Sequence, residues 1–457
     1  MTTISIRGAA AVVVLGSCLA PAVTGTVGAQ APGAAPGAPT FTRDVAPIFY
    51  ARCVSCHRPG EVAPMSLITY RDVRPWVAAI REKVTTREMP PWHADRQYGT
   101  FRNDLSLTQR EIDTIASWAN GGAREGDPAA LPPLPAFPEG WQIGTPDLVF
   151  EMPVDYQVPA SGTIDYQYFD VPTNFTEDRW MQAGEVRAGD RARVHHIIVY
   201  VREPGPNTRP TVVNVRPLLG GAAPSATSLG RAAAGRRAAA SGAGQAAAAP
   251  QTRGRAPGGG DAMLVNWAVG EDAPVHPPGT AKRIPAGSTL VFQVHYTTNG
   301  TPGVDRSRLG LIFAKEPPAR EVRTGVIANP VLAIPPGAAN HEVAAEATFS
   351  EDVRVWTMHP HMHLRGKDMT YTAIYPDGRD EIVLRVPKFD FGWQTDYWLA
   401  EPLSLPKGSK LHVRAHFDNS AANRSNPDPA ASVRWGDQTW EEMMIGFFTY
   451  TVEGGTP

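Results

Sequence analysis

Proline and glycine recur along the whole chain, 44 and 43 times in 457 residues. Proline removes a backbone donor, and a glycine costs a helix interior about 1 kcal/mol, so long helical bundles are disfavoured as the main architecture. Short strands separated by turns are favoured instead. The length predicts about two to four domains. Hydrophobic residues make up 42% of the chain, enough for several cores. The formal net charge of -2 gives no argument for nucleic acid or for an anionic membrane surface.

The N-terminus has the pattern of an export signal. Arg7 precedes a mostly apolar run from Ala9 to Ala20, and small residues follow. Residues 1–31 are read as a signal peptide, with Val27-Gly28-Ala29 or Ala29-Gln30-Ala31 as the cleavage site. The run is short and broken by Gly16, Ser17 and Pro21, so no transmembrane span is expected in the mature chain. Leu15-Gly16-Ser17-Cys18 loosely resembles a lipoprotein signal and offers a lipid anchor at Cys18 as a second route. Residues 32–39 read as a flexible tether. The expected location is periplasmic or secreted.

Of the three cysteines, Cys18 lies in the signal, which leaves Cys53 and Cys56. With His57 they form Cys-x-x-Cys-His, the attachment spacing of c-type haem. Two thiols add to the two vinyl groups on one edge of the ring, and the adjacent imidazole reaches the iron. A thioredoxin-like pair would need a βαβ context. A zinc site would need more ligands than His93 supplies. One covalent haem c is therefore expected, with residues 40–126 as a small all-α cytochrome c domain. Val45, Ile48 and Phe49 share one helical face before the motif. Thr108 and Glu111 form a capping box ahead of Ile112, Ile115, Ala116 and Ala119, and Gly121-Gly122 ends that helix. Met89, in Arg87-Glu88-Met89-Pro90-Pro91-Trp92, is the preferred sixth ligand, because the prolines hold it in a rigid segment. Met65 and His93 are its rivals.

Residues 127–145 are proline-rich and read as a linker. From 146 onward the chain alternates in short runs, such as Asp147-Leu148-Val149-Phe150-Glu151 and 289–296. This predicts two all-β antiparallel sandwich domains, 146–325 and 326–457. Residues 221–260 repeat alanine, glycine and arginine and read as a disordered insertion.

Histidines in this region are grouped. His195 and His196 are adjacent in an apolar strand, His295 follows Leu290-Val291-Phe292-Gln293-Val294, and His359, His361 and His363 alternate. Alternation places His361 and His363 on one face, where two imidazoles can share a metal. A soft thioether nearby, such as Met443 or Met444, would bias that site toward copper. His195 and His196 would point oppositely from a flat strand. They meet only if the strand ends or bulges there, or if different ring nitrogens are used. Lone histidines such as His276, His341 and His412 read as structural.

These segments resemble the copper type II, ascorbate-dependent monooxygenases, whose animal members are peptidylglycine α-hydroxylating monooxygenase and dopamine β-monooxygenase. Val194-His195-His196-Ile197 resembles that family's paired-histidine strand. Asn266-Trp267-Ala268-Val269-Gly270 and Val294-His295-Tyr296 resemble its next block. His361-Met362-His363-Leu364-Arg365-Gly366-Lys367 is similar to its His-x-His strand, and Glu441-Glu442-Met443 to its acidic-Met segment. The resemblance implies two jelly-roll-like domains carrying two separated copper ions. By it, His195, His196 and His295 hold the electron-transfer copper. His361, His363 and Met443 hold the copper that binds oxygen and faces the substrate. It implies insertion of one O₂ oxygen into a substrate C–H bond, with an external reductant or redox partner protein supplying electrons. The animal enzymes carry disulfides here and this chain has none. His359 has no clear counterpart, and strand alternation lets only one of Met443 and Met444 be a ligand. The substrate-binding residues show no match, so the family's substrates do not carry over.

Taken together, the sequence predicts an exported monooxygenase acting on a small-molecule substrate, with the haem segment supplying or relaying electrons to two coppers. Its rivals are an electron-transfer protein with a copper-binding β module that inserts no oxygen, and a carbohydrate- or protein-binding sandwich.

Overall fold

The alternating runs after residue 146 become strands, and their inward positions fill two separate sandwich cores. The computed structural model describes residues 37–457 except 60, 62, 138–139, 206–212, 219–261, 269–272 and 455–457. The signal segment, Cys18 and the insertion 221–260 lie outside the described residues. No helix among the described residues is long and apolar enough to cross a membrane.

In the first sandwich, one sheet has the order Leu148–Glu151, Arg308–Phe313, Arg179–Arg187, Thr280–Ile284, Arg320–Glu321. Its partner sheet runs Gln167–Pro172, Thr289–Tyr296, Val194–Arg202, Ala262–Ala268. All pairs are antiparallel except the last of the first sheet. Ile197, Val199, Phe292, Val294, Leu309 and Leu311 are fully buried between these sheets. In the second sandwich, Arg323–Ala328, Ile445–Val452, Val353–His361 and Tyr397–Leu405 form one sheet. The other runs Asp380–Val386, Gly366–Ile374, Lys410–Phe417, His341–Phe349, Val213–Pro217. Val355, Met358, Tyr371, Val413 and Phe448 are buried in that core.

A third apolar layer joins the sandwiches. Met263, Ala328, Ile445 and Phe447 are buried there, with Ile198, Tyr200 and Met443 against them. These residues alternate with the core positions of their own strands, so they project from the outer sheet faces. Burying both faces of the two central sheets is why their strands read as nearly continuous apolar runs.

The expected separate all-α cytochrome domain is not what residues 40–126 form. The chain is mostly β, and among its described residues this segment holds short α-helices, Ala46–Arg52 (α1), Tyr70–Val73 (α2), Val77–Thr85 (α3) and Gln109–Asn120 (α4), with a π turn at Phe41–Val45 and a 3-10 turn at Arg74–Trp76. Thr108 and Glu111 do form the capping box of α4. Helix α3 stops at Thr85, Arg87 takes a positive φ of 57°, and the chain then crosses through Pro90 and Pro91 to the second sandwich. There Ala94 and Phe101 join its core. Phe101 bridges Leu399 in antiparallel fashion, flanked by Arg102 N to Trp398 O at 2.9 Å and Ala400 N to Thr100 O at 2.8 Å. The segment thus shares a core with the β part, and Pro39–Pro457 is one compact unit.

Candidate metal and cofactor sites

The pairing of Val194–Arg202 with Thr289–Tyr296 solves the problem of the adjacent histidines. Val194 opposes Tyr296 and His196 opposes His295, so His195 is the extra residue of a β-bulge. Val194 and Ile197 both face the core of the first sandwich. The bulge therefore turns His195 and His196 to the same outer side, beside His295. One nitrogen from each of the three rings lies within 4.8 Å of the others. The Nδ1 atoms of His195 and His196 are 3.0 Å apart, and buried His295 Nδ1 has no hydrogen-bond partner among the described residues. Burial lowers the basicity of all three, taking His196 well below the usual imidazole range and pushing His295 down to about 3. Neutral imidazoles with converging lone pairs are what a soft or borderline metal ion requires.

His361 ends the strand Val353–His361 and His363 follows it. Met358 and Met362 lie in the core of the second sandwich, which leaves His359, His361 and His363 on the outer face. The His361 and His363 ring centroids are 5.3 Å apart. His361 Nδ1 lies 2.6 Å from Gln394 Oε1, and His363 Nδ1 lies 3.2 Å from the Glu441 carbonyl. Both acceptors are oxygens, so each Nδ1 donates and each Nε2 keeps its lone pair for a metal. The buried Glu442 carboxylate fixes the turn, accepting from His363 N at 2.8 Å and Arg365 N at 2.6 Å. Met443 lies in the layer that carries His361, whereas Met444 is fully buried in the opposite core.

The two histidine groups face each other. A small cavity of about 20 Å³ is lined by His195, His196, His359 and His361. Phe391 stands between the groups, stacked on His195 at 5.2 Å and edge-on to His363 at 6.1 Å. The resemblance implied separated sites; here Phe391 touches both histidine groups and residues of both line one small cavity.

Cys53, Cys56 and His57 follow α1 and open on a second cavity, of about 430 Å³. Met89 and Met65 also line it, and His93 does not. His57 Nδ1 lies 3.2 Å from the Met65 carbonyl, which leaves Nε2 as the ligand atom and puts the Met65 main chain on the His57 side. Met89 comes from beyond α3 and lines the same cavity as His57, so it could serve as the second iron ligand of a bound haem. Phe49, Leu67, Ile80 and Val84 supply apolar walls, and Arg52 and Lys83 supply cations of the kind haem carboxylates need. No disulfide joins Cys53 to Cys56, and burial pushes the Cys53 thiol up to about 12. A redox-exchanging pair depends on a lowered thiol pKa, so this environment argues against that alternative. The residues present therefore fit a thioether-linked haem.

Several site residues escape a reading of the sequence. Tyr166 packs on His196 and His295 at 5.6 and 5.0 Å, and Gln394, Phe391 and Asp396 come from one loop without a motif of its own. His276, expected to be structural, is buried, and its Nε2 has no hydrogen-bond partner among the described residues.

Burial also sets a pH dependence. His276 and His295 are each held down to about 3, against 6.5 for the unperturbed group. Between these values the unfolded chain binds protons that the folded chain refuses, so stability falls as pH drops through that window. Every tenfold loss of proton affinity on folding corresponds to about 1.4 kcal/mol. The melting temperature of metal-free protein should decline steadily on acidification below pH 6.5. A melting temperature that stays level or rises as the pH is lowered to about 4 would contradict this reading of the buried histidines.

No protein-family model matches the chain, and no curated protein matches it. Among solved structures it is similar to infectious bursal disease virus, Gt strain, at 11% identity, covering 67% of this chain and 71% of that one, with a TM-score of 0.19. Paenibacillus xanthan lyase matches at 10% identity over 68% of this chain and 26% of that one, with a TM-score of 0.15. Similarities this slight carry no argument about fold or function.

Proposed function

We propose that this chain is an exported copper monooxygenase whose N-terminal segment carries one covalent haem c. The observation that carries the reading is the convergence of His195, His196 and His295 from one sandwich with His361 and His363 from the other on one buried layer. In this reading His195, His196 and His295 hold one copper, and His361, His363 and Met443 hold the second. Copper there would supply one-electron chemistry and activation of O₂ for insertion into a C–H bond. The chain's own contribution is positional. Gln394 and the Glu441 carbonyl fix the His361 and His363 rings, and Glu442 fixes the turn that follows His363. Phe391 packs on His195 and His363 and so sets the spacing of the two groups. Met443, as a soft ligand, favours Cu(I). Cys53 and Cys56 would anchor the haem, with His57 and Met89 as axial ligands, and the haem would supply or relay electrons drawn from an external reductant or partner protein.

One observation favours a second reading, a non-oxygenating electron-transfer protein. The histidine cavity, at about 20 Å³, has room for one water-sized molecule and none for an organic substrate. One experiment separates the two. Purified protein is assayed for iron and copper, then supplied with reductant, candidate substrates and isotopically labelled O₂. The monooxygenase reading expects two coppers and one haem per chain and label in a product. Full metal content with label only in water supports the carrier, and iron without copper removes both.

A further inference from the structure

The haem-type cavity and the histidine cavity are linked by the chain at 392–395, by Asn266, which lines the last two of three successive spaces, and by one hydrogen-bonded pair of side chains. On the side away from α1 and α3, the first is walled by Trp393, Thr395, Asp396 and Trp398 of the second sandwich. A small cavity of about 10 Å³ follows, lined by Asp396 and Trp398 again and now also by His359 and His276. The histidine cavity comes next, and His359 lines it together with His195, His196 and His361. Asp396 thus belongs to the first two spaces and His359 to the last two. Asp396 Oδ1 and His359 Nδ1 are 2.9 Å apart. Trp398 reaches the first two spaces but does not line the third.

We propose that the hydrogen-bonded pair Asp396–His359 is the electronic bridge between the haem cavity and the histidine-held copper. This rests on the function proposed above and names its internal route. Electron tunnelling weakens steeply across gaps and is favoured along bonded and hydrogen-bonded contacts. Asp396 and His359 supply such a contact from the wall of one cavity to the wall of the other. The transfer is a single electron. The ferrous haem is oxidised to ferric, a cupric ion is reduced to cuprous, and no proton or further reactant is required. His359, the histidine of the alternating trio without a counterpart in the resembling family, thereby acquires a role. It sits two residues from His361 on the same strand face and is not needed as a ligand. The segment is also firmly held. Asn103 Nδ2 donates to the Asp396 carbonyl at 2.7 Å, and Trp398 N donates to Asn103 Oδ1 at 3.1 Å. Those bonds tie the wall to the chain segment that carries Met89.

The test follows the electron and needs no substrate. Full-length protein carrying haem and Cu(II) is reduced at the haem by a light flash without O₂, and haem reoxidation is followed by absorbance. Asp396→Ala and His359→Phe should each slow this step by an order of magnitude. Copper content should stay at the parental value in both, and the haem potential should stay parental in His359→Phe, whose residue lies outside the haem cavity. Asp396→Asn keeps an oxygen acceptor for His359 Nδ1 and should recover most of the rate, which a loss of folding could not mimic. Parental rates in both disrupted variants would overturn the bridge while leaving the proposed function standing. Absence of any copper-dependent reoxidation in the parent would overturn the bridge together with the haem-to-copper reading beneath it.

Discussion

His361→Ala is expected to remove one copper ion per chain and all copper-dependent O₂ consumption, with the haem absorbance unchanged. His361 is buried, and its ring lies between His363 at 5.3 Å and Phe447 at 6.1 Å. Deleting it leaves the second site with His363 and Met443, too few ligands to hold copper against solvent. The deletion also strands Gln394 Oε1, which loses a partner at 2.6 Å. A stranded buried acceptor costs about 1–3 kcal/mol. That is below the usual stability margin of about 5–15 kcal/mol, so the variant should fold. The haem should not notice, because His361 does not line its cavity. Gln394→Ala makes the argument graded. It leaves the ligand and removes only what orients it, so copper affinity should fall roughly 10–100-fold. Metal analysis and an oxygen electrode read both variants. Undiminished copper in His361→Ala would take this histidine off the ligand list.

What the sequence discloses and what it hides divide along a physical line. The grouping of Cys53, Cys56 and His57 is legible because they are near neighbours in sequence, and the structure brings all three to one cavity. The His361 and His363 face is legible because strand alternation is local. The capping box of α4 is legible for the same reason. The meeting of His195 with His196 is not, since whether a strand bulges depends on its partner's register, here the pairing of His196 with His295. The choice of Met443 over Met444 needs the knowledge of which face looks toward the other sandwich. Phe391, Gln394 and Asp396 are invisible because a loop that serves two cavities carries no periodic pattern. The helical segment misleads for a related reason. Its pattern places Trp92, Ala94 and Phe101 in a self-contained helical domain, yet they are apolar because they pack with the second sandwich. An amino-acid pattern states that a side chain wants burial; it does not state against which partner.

The second large effect is expected at the other end of the chain. Cys53→Ala with Cys56→Ala should yield protein whose haem, if any is retained, is lost to acidic organic solvent. It should also unfold in two stages. Without a covalently held ring, the apolar walls of a 430 Å³ cavity face water. Those walls include Phe49, Leu67, Ile80 and Val84, which also make up much of the core that α1, α3 and α4 share. That core is small, and its helices are too short to be stable without packing. Both sandwich cores lie away from the cysteines and keep every strand pairing. Hydrogen exchange should therefore quicken across α1 and α3 while Val194–Arg202 and Thr289–Tyr296 remain protected. Trp393 and Trp398 give the result a sharper edge, since they wall the cavity from the second sandwich. If the ring is part of the packing there, exchange should also quicken around 391–398, and no farther into that sandwich. Equal protection of α1 and α3 in parent and variant would mean that nothing fills the cavity, and the haem assignment would fall with it.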